Sequence, residues 1–314
     1  MANLLNHLFS PIRIKEMEIP NRIVMPAMGT NLGNPDGTVS DANLAYMKRR
    51  AKGGAGLIIT EISAVHPTGM AIPSELGSYD DQFIPGLKKL ADVIHAGGSK
   101  AALQLHHTGR ESFFLLKAGR AIAPSPIRSL VFGLTPREMT RDEIQDLIAA
   151  FGAAASRAKQ AGFDAVEVHG AHGYLLTQFL SSLSNQRTDE YGGDIVKRSR
   201  FIREVLREVR RRVGDEFPVF LRLSAQEVIK GGFIDLEICH IEWKPHQPGS
   251  RMENRASDRT VSGTHCVKQQ VDRTHHMLLV LSGSRADSDQ PEGQYWERCS
   301  SHFSASPDIP SAAR

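Results

Sequence analysis

The chain has 314 residues, 40% of them hydrophobic and 23% charged, a composition that suits one large globular domain or two small ones. A formal net charge of +3 is too small to argue for nucleic acid or an anionic membrane surface as a partner. No apolar stretch reaches the roughly 18 residues of a membrane span, the opening MANLLNHLFSPIRI lacks the basic start and apolar core of a signal peptide, and the three cysteines form no CxxC pair, so neither a disulfide framework nor a zinc knuckle is expected. The implied setting is reducing and cytoplasmic.

In chain order, the first strand is predicted at 22–28 (RIVMPAM), followed by a helix from Ser40 to Gly53 and a second strand at 56–63 (GLIITEIS). A helix from about Asp81 to Gly97 leads into the third strand at 101–107 (AALQLHH). Thr140 and Glu143 form a capping box, and Ile144, Leu147, Ile148, Phe151, Ala155 and Ala158 then recur at helical spacing up to the stop at Gly162. The fourth strand is predicted at 165–170 (AVEVHG), a helix from about Lys197 to Gly214, and the fifth strand at 218–224 (PVFLRLS). These runs are continuously apolar rather than alternating, as in parallel strands covered on both faces. Strand–helix repetition of this kind means a doubly wound sheet or a (β/α)8 barrel. No GxGxxG follows the first strand, which counts against a dinucleotide-binding start. Polar residues gather instead at the C-terminal ends of strands, namely Gln104 and His106, His169 and His172, and Arg222. In a barrel that rim carries the chemistry, so the barrel is preferred.

Residues 166–193, VEVHGAHGYLLTQFLSSLSNQRTDEYGG, place His169, His172 and Tyr174 just where a buried strand ends. Two neutral imidazoles there can donate N–H bonds to one substrate oxygen and polarise a carbonyl or nitro group conjugated to an alkene. The Tyr174 phenol can hand a proton to a carbanionic carbon. The competing readings are a metal pair or histidines that cap a loop; HxxH without a matching acid argues against zinc, and no metal is expected. The Gln104 amide can pair with the donor–acceptor edge of a heterocycle, and the Arg222 guanidinium can stabilise a ring that becomes anionic. Taken singly, each also reads as a structural rim residue.

An ordered set of motifs carries more weight than any one of them: LFSPIRI and NRIVMPAMGTN, then GGAGLIITE, QLHHTGR, HGAHGYLLTQFLSSLSNQRTDEYGG and RLSAQE. Through these, residues 8–240 resemble the Old Yellow Enzyme family of FMN-dependent oxidoreductases, and more closely the branch with 2,4-dienoyl-CoA reductase and NADH:flavin oxidoreductases. The resemblance implies that Pro26, Ala27, Met28 and Gly29 lie against the flavin and that the backbone at Glu61 and Ile62 approaches its ring. It implies that Gln104 binds the pyrimidine edge and that Arg222 sits near N1 and O2. It further implies that His169 and His172 hold the substrate's activating oxygen and that Tyr174 donates the proton. The implied activity is an ene reductase, with NADH or NADPH as reductant, FMN as cofactor and an α,β-unsaturated carbonyl or enoyl thioester as small-molecule substrate. Neither nucleic acid nor membrane is an expected partner, and homo-oligomerisation stays open. A flavin-free barrel lyase would need a Schiff-base lysine at a strand end, and none of the five strands has one.

The pattern breaks after GGFIDLEICHI. All three cysteines (Cys239, Cys266, Cys299) and both tryptophans (Trp243, Trp296) lie beyond position 238, and only HMLLVLS at 276–282 looks strand-like. Residues 1–241 are therefore read as the N-terminal part of an FMN-binding barrel, and 242–314 as a disordered or non-native tail. A shifted reading frame, an unrelated exon or a fusion would produce it; so would a divergent tail that still folds. Five strands are legible where a closed barrel has eight, so the sheet would expose two edges. The loops that usually grip a phosphate, after the seventh and eighth strands, have no legible counterpart. Nor do the iron–sulfur cluster and second nucleotide-binding region of the dienoyl-CoA reductase branch. The alternative to an active enzyme is a non-catalytic, incomplete barrel unable to hold FMN.

Overall fold

The computed structural model describes residues 2–224, positions 226, 227, 229 and 232, and the segments 264–269 and 276–281. All five expected strands are present, as β1 (Val24–Met25), β2 (Leu57–Ala64), β3 (Lys100–His106), β4 (Ala165–Gly170) and β5 (Val219–Ser224). They lie side by side in chain order, and every neighbouring pair is parallel. The main helices between them are α1 (Asp41–Ala51), α2 (Ile84–His95), α3 (Arg141–Gln160), α4 (Leu175–Leu180) and α5 (Arg200–Val213). Strand after strand in one direction, with helices as crossovers, is the first part of a (β/α)8 barrel.

Local chemistry sets the helix ends. At α3, Thr140 Oγ1 accepts from the Glu143 N–H at 3.2 Å while Glu143 Oε2 accepts from the Thr140 N–H at 2.8 Å, the reciprocal box read from the sequence. Ser40 and Asn43 do the same for α1. The helix expected from Asp81 opens instead as a 3-10 turn, Asp81–Phe83, and becomes α-helical from Ile84, with Pro85 in its first turn. The helix expected from Lys197 is divided: a four-residue turn, Ile195–Arg198, precedes α5.

Two apolar layers lie on opposite faces of the sheet. The outer one joins strand residues such as Leu103, Leu105, Val166 and Val168 to helix residues including Phe151 and Phe201, with Phe179 of α4. Each of those three rings is fully buried, and truncating one to alanine costs on the order of 3–5 kcal/mol. The inner layer is smaller: Leu57, Ile59, Ala102, Ala165 and Phe220, packed with Met17 and Ile19 of the hairpin formed by Ile12–Ile14 and Met17–Ile19.

Alternation along each strand decides which residues share that inner face. Ala102 leads to Gln104 and His106, Ala165 to Glu167 and His169, and Phe220 to Arg222 and Ser224. The inner face is thus apolar at the N-terminal ends of the strands and polar at the C-terminal ends. In β2 a bulge intervenes: Ile59 pairs with Ala102 but Ile62 with Gln104, so the stretch between them holds two residues of β2 against one of β3. Ile62, rather than Glu61, therefore stands beside Gln104.

Beyond β5 the direction changes. β7 (His276–Leu281) pairs antiparallel with β5, and β6 (Thr264–Gln269) pairs antiparallel with β7. β7 is the strand expected from HMLLVLS. β6 carried no strand signal of its own, and its pairing with β7 residue for residue is what defines it. The rest of the expected tail, 242–314, lies outside the described residues. Among the described residues no helix is long and apolar enough to cross a membrane.

Candidate active site

The C-terminal ends of β1 to β5 bring the predicted residues together in two groups. The first lies along the inner face. Gln104 and Glu167 are register partners across β3 and β4, and Gln104 Nε2 donates to Glu167 Oε1 at 2.6 Å. Glu167 is 1% exposed, and burial pushes its carboxyl up to about 7 against the opposing pull of Arg222 and of the Gln104 hydrogen bond. Arg222 comes from β5, paired with His169. With its NH2 group fixed on Glu167, the Gln104 amide has its carbonyl oxygen left as acceptor, beside a guanidinium donor. That combination suits the edge of a heterocycle carrying both N–H and C=O groups.

The loop after β1 is tied to this group through Glu61. Thr30 donates to Glu61 from its backbone N at 2.9 Å and from Oγ1 at 2.6 Å, and Asn43 Nδ2 of α1 donates at 2.6 Å. Burial raises the Glu61 carboxyl, and the Thr30 hydrogen bonds oppose that rise. Pro26 and Ala27 are half-buried and Met28 is 50% exposed, so the loop offers an open surface to a ligand. Gly29 faces Ile62, whose Cδ1 lies 4.0 Å from where a Gly29 Cβ would stand.

The second group stands on the rim. His172 adopts φ 62°, a left-handed conformation uncommon for a residue with a side chain, and Gly173 has φ 75°. This double left-handed turn folds the chain back so that His172 Nδ1 lies 3.2 Å from His169 Nε2. The two imidazoles were expected to aim at one substrate oxygen; in this structure they share a hydrogen bond. The His172 N–H donates to Ser224 Oγ of β5 at 3.1 Å, which anchors the turn. Tyr174 is the N-cap of α4, its carbonyl accepting from Gln178 N at 2.8 Å. Its ring lies 5.2 Å from that of His169 and 6.4 Å from that of His172. Burial raises the Tyr174 phenol, and the charges of Glu75 and Glu111 raise it further, so it stays protonated at neutral pH.

Two carboxylates escaped the sequence reading. Glu167 sits inside AVEVHG, where its charge in an otherwise apolar run was the available signal. Glu75 has no local signal at all. It is fully buried, and its Oε1 lies 2.9 Å from His106 Nδ1, 31 residues along the chain. His106 had been noted on the rim without a role. Its ring is 4.5 Å from Tyr174, nearly perpendicular, and 5.6 Å from His169.

Comparison with known proteins places the match in the same part of the chain. The model of the NADH:flavin oxidoreductase / NADH oxidase family matches residues 7–267. The chain is 44% identical over 228 residues to an NADH oxidase of Thermoanaerobacter brockii, covering 72% of this chain and 35% of that relative. It is 43% identical over 242 residues to an NADPH dehydrogenase of Bacillus subtilis (strain 168), covering 76% and 70%. It thus spans about a third of the first relative's length and just over two thirds of the second's. Among solved structures it is similar to a 2-naphthoyl-CoA reductase in complex with 2-naphthoyl-CoA, with TM-score 0.71, 34% identity, and coverage of 74% of this chain and 37% of that one. It is also similar to morphinone reductase in complex with tetrahydroNAD, with TM-score 0.66, 35% identity, and coverage of 73% and 66%. With a family model over most of its length and these identities, the chain belongs to the NADH:flavin oxidoreductase / NADH oxidase family of FMN-dependent oxidoreductases.

Proposed function

We propose that the chain is built to reduce an activated C=C bond, in an α,β-unsaturated carbonyl or an enoyl thioester. The observation that carries this is the placement of the Tyr174 phenol against His169, on the rim above the buried Gln104–Glu167 pair and Arg222. The residues suit FMN on a structural ground. The Gln104 amide, oriented by Glu167, presents an acceptor for the ring's imide N–H. The Arg222 guanidinium, on the next strand but one, is a donor for the adjoining carbonyl. Pro26, Ala27, Met28, Gly29 and Ile62 supply the half-open surface for the ring. When bound, FMN supplies hydride, drawn from NADH or NADPH.

The rest is the protein's contribution. His169 and His172 would exchange their mutual hydrogen bond for bonds to the substrate's carbonyl oxygen, which draws electron density from the alkene. Tyr174, kept neutral by burial, would give its proton to the α-carbon as hydride arrives at the β-carbon. The thioester option is supported by the 2-naphthoyl-CoA reductase neighbour, whose acyl-CoA partner is a thioester.

The test is FMN uptake followed by enone-dependent NAD(P)H oxidation under anaerobic conditions. Protein that retains a flavin spectrum after desalting should turn over an enone, and Tyr174→Phe should lower the rate on the order of a hundredfold. A variant as fast as the parent refutes the proton-donor role. A second reading, a barrel too incomplete to hold FMN, is favoured by one observation: the strand beside β5 runs antiparallel, where a (β/α)8 barrel continues parallel. Protein that stays colourless at saturating FMN would decide for it.

A further inference from the structure

The Glu75–His106 pair lies outside the roles assigned above and has the form of a proton-handling dyad. Both side chains are fully buried. Glu75 is doubly anchored: Oε2 accepts from the Ala71 N–H at 2.5 Å, and Oε1 faces His106 Nδ1 at 2.9 Å. A neutral His106 that donates to this carboxylate carries its N–H on Nδ1. Nε2, also buried, has no hydrogen-bond partner among the described residues. An orphaned buried ring nitrogen is costly to the fold, so its retention calls for an explanation. The His106 ring lies edge-on to the Tyr174 ring, with centroids 4.5 Å apart, and tilted against the His169 ring at 5.6 Å.

We propose that His106, oriented by Glu75, returns the proton that Tyr174 loses in each turnover; the proposal rests on the proton-donor reading of Tyr174. In that step the Tyr174 O–H bond breaks as a C–H bond forms on the substrate, which leaves a phenolate. The Nε2–H bond of a His106 imidazolium then breaks and the phenol O–H reforms. His106 is left neutral with its proton on Nδ1, and a solvent proton restores Nε2–H once product has left. No electrons move in the return step, and the net proton comes from water. Glu75 balances the imidazolium charge in a place where water cannot.

The charged and titratable groups near these rings are His107, just after β3, and His169 of β4 beside His106, with Glu111 of the loop after β3 and His172 of the rim turn beside Tyr174. The Glu75 and Glu111 carboxylates both disfavour a lasting phenolate. His107 is held well below the usual histidine range, first by burial and then by His106 and His66.

Two measurements test the dyad, one of them without flavin. In nitrogen-15 spectra of the histidine rings of the flavin-free protein, neutral His106 should carry its proton on Nδ1 and leave Nε2 bare. Glu75→Gln should release that tautomer, and Tyr174→Phe should shift the Nε2 resonance. With FMN bound, His106→Asn should slow steady-state enone turnover on the order of tenfold or more, while the first oxidation of reduced enzyme by an enone stays near the parental rate. Ring resonances of His106 indifferent to both substitutions overturn the proposal; so does parental steady-state turnover in His106→Asn. If His106→Asn does not fold, Glu75→Gln carries the same kinetic comparison. Failure of the parent to bind FMN sinks the ene-reductase reading instead, and the ring spectra still decide whether Glu75 orients His106 toward Tyr174.

Discussion

Glu167→Gln is a substitution whose effect can be worked out from the structure. The Glu167 carboxyl is 1% exposed, and its titration is moved from the ordinary 4.5 to about 7, with burial as the leading cause. A raised pKa on an acid means that the folded protein holds the proton more tightly than the unfolded chain does. The penalty for ionising Glu167 is therefore absent below the unfolded value, near 4.5, grows as pH rises, and is complete above about 7. At about 1.36 kcal/mol per pH unit the full penalty is on the order of 3 kcal/mol. Glutamine keeps the acceptor for Gln104 Nε2 and cannot ionise. Urea unfolding of the variant should show little gain at about pH 5 and a gain of about 1–3 kcal/mol at about pH 8, the lower figure allowing for the lost attraction to Arg222. The stability of the parent should fall across that range more steeply than that of the variant. Equal slopes, or a variant less stable at the alkaline end, would refute the claim that burial of this carboxyl outweighs the pull of Arg222 and Gln104. The same variant should bind FMN less tightly, because Arg222 and Gln104 lose the anion that orients them.

Other outcomes rest on single contacts. Thr140→Ala removes the cap of α3 and should cost about 1 kcal/mol in unfolding free energy; a neutral result would mean that Glu143 alone holds that helix end. His172→Gly relieves a left-handed residue at φ 62°, so stability should hold or rise by up to about 1 kcal/mol while enone turnover falls at least about tenfold. A loss of stability with no loss of turnover would show that His172 serves the turn and not the substrate.

Strands β2 to β5 were legible because each is buried on both faces and so reads as a continuous apolar run between glycine-stopped helices. The capping box at Thr140 fixed one helix start to the residue. The bulge in β2 was not legible: nothing in GLIITEIS marks where an extra residue enters, yet it decides whether Ile62 or Glu61 faces Gln104. The site was legible where its residues sit within one motif, as His169, His172 and Tyr174 do. It was hidden where partners are far apart in sequence, as with Glu75 and His106, or where a charge lies inside an apolar run, as with Glu167. The mutual hydrogen bond of His169 and His172 was also out of reach, because it depends on the left-handed backbone at His172.

The division of labour within a flavin site gives one more discriminating measurement. The residues that suit FMN in this sheet, Gln104, Arg222 and the loop 26–29, are all suited to the ring system. Barrels of this class usually hold the phosphate in loops after the seventh and eighth strands. Among the described residues the run of parallel barrel strands ends at β5, and β7 runs antiparallel beside it. Ring contacts alone do not distinguish FMN from riboflavin, which lacks the phosphate. The two flavins are therefore expected to bind with dissociation constants within a few-fold of each other, as read from flavin fluorescence during titration. A phosphate held by two charge-assisted hydrogen bonds of about 1.5–3 kcal/mol each would favour FMN by more than about a hundredfold. A preference of that size would refute the expectation and point to a phosphate site in residues 225–314, most of which the sequence alone reads as a non-native tail.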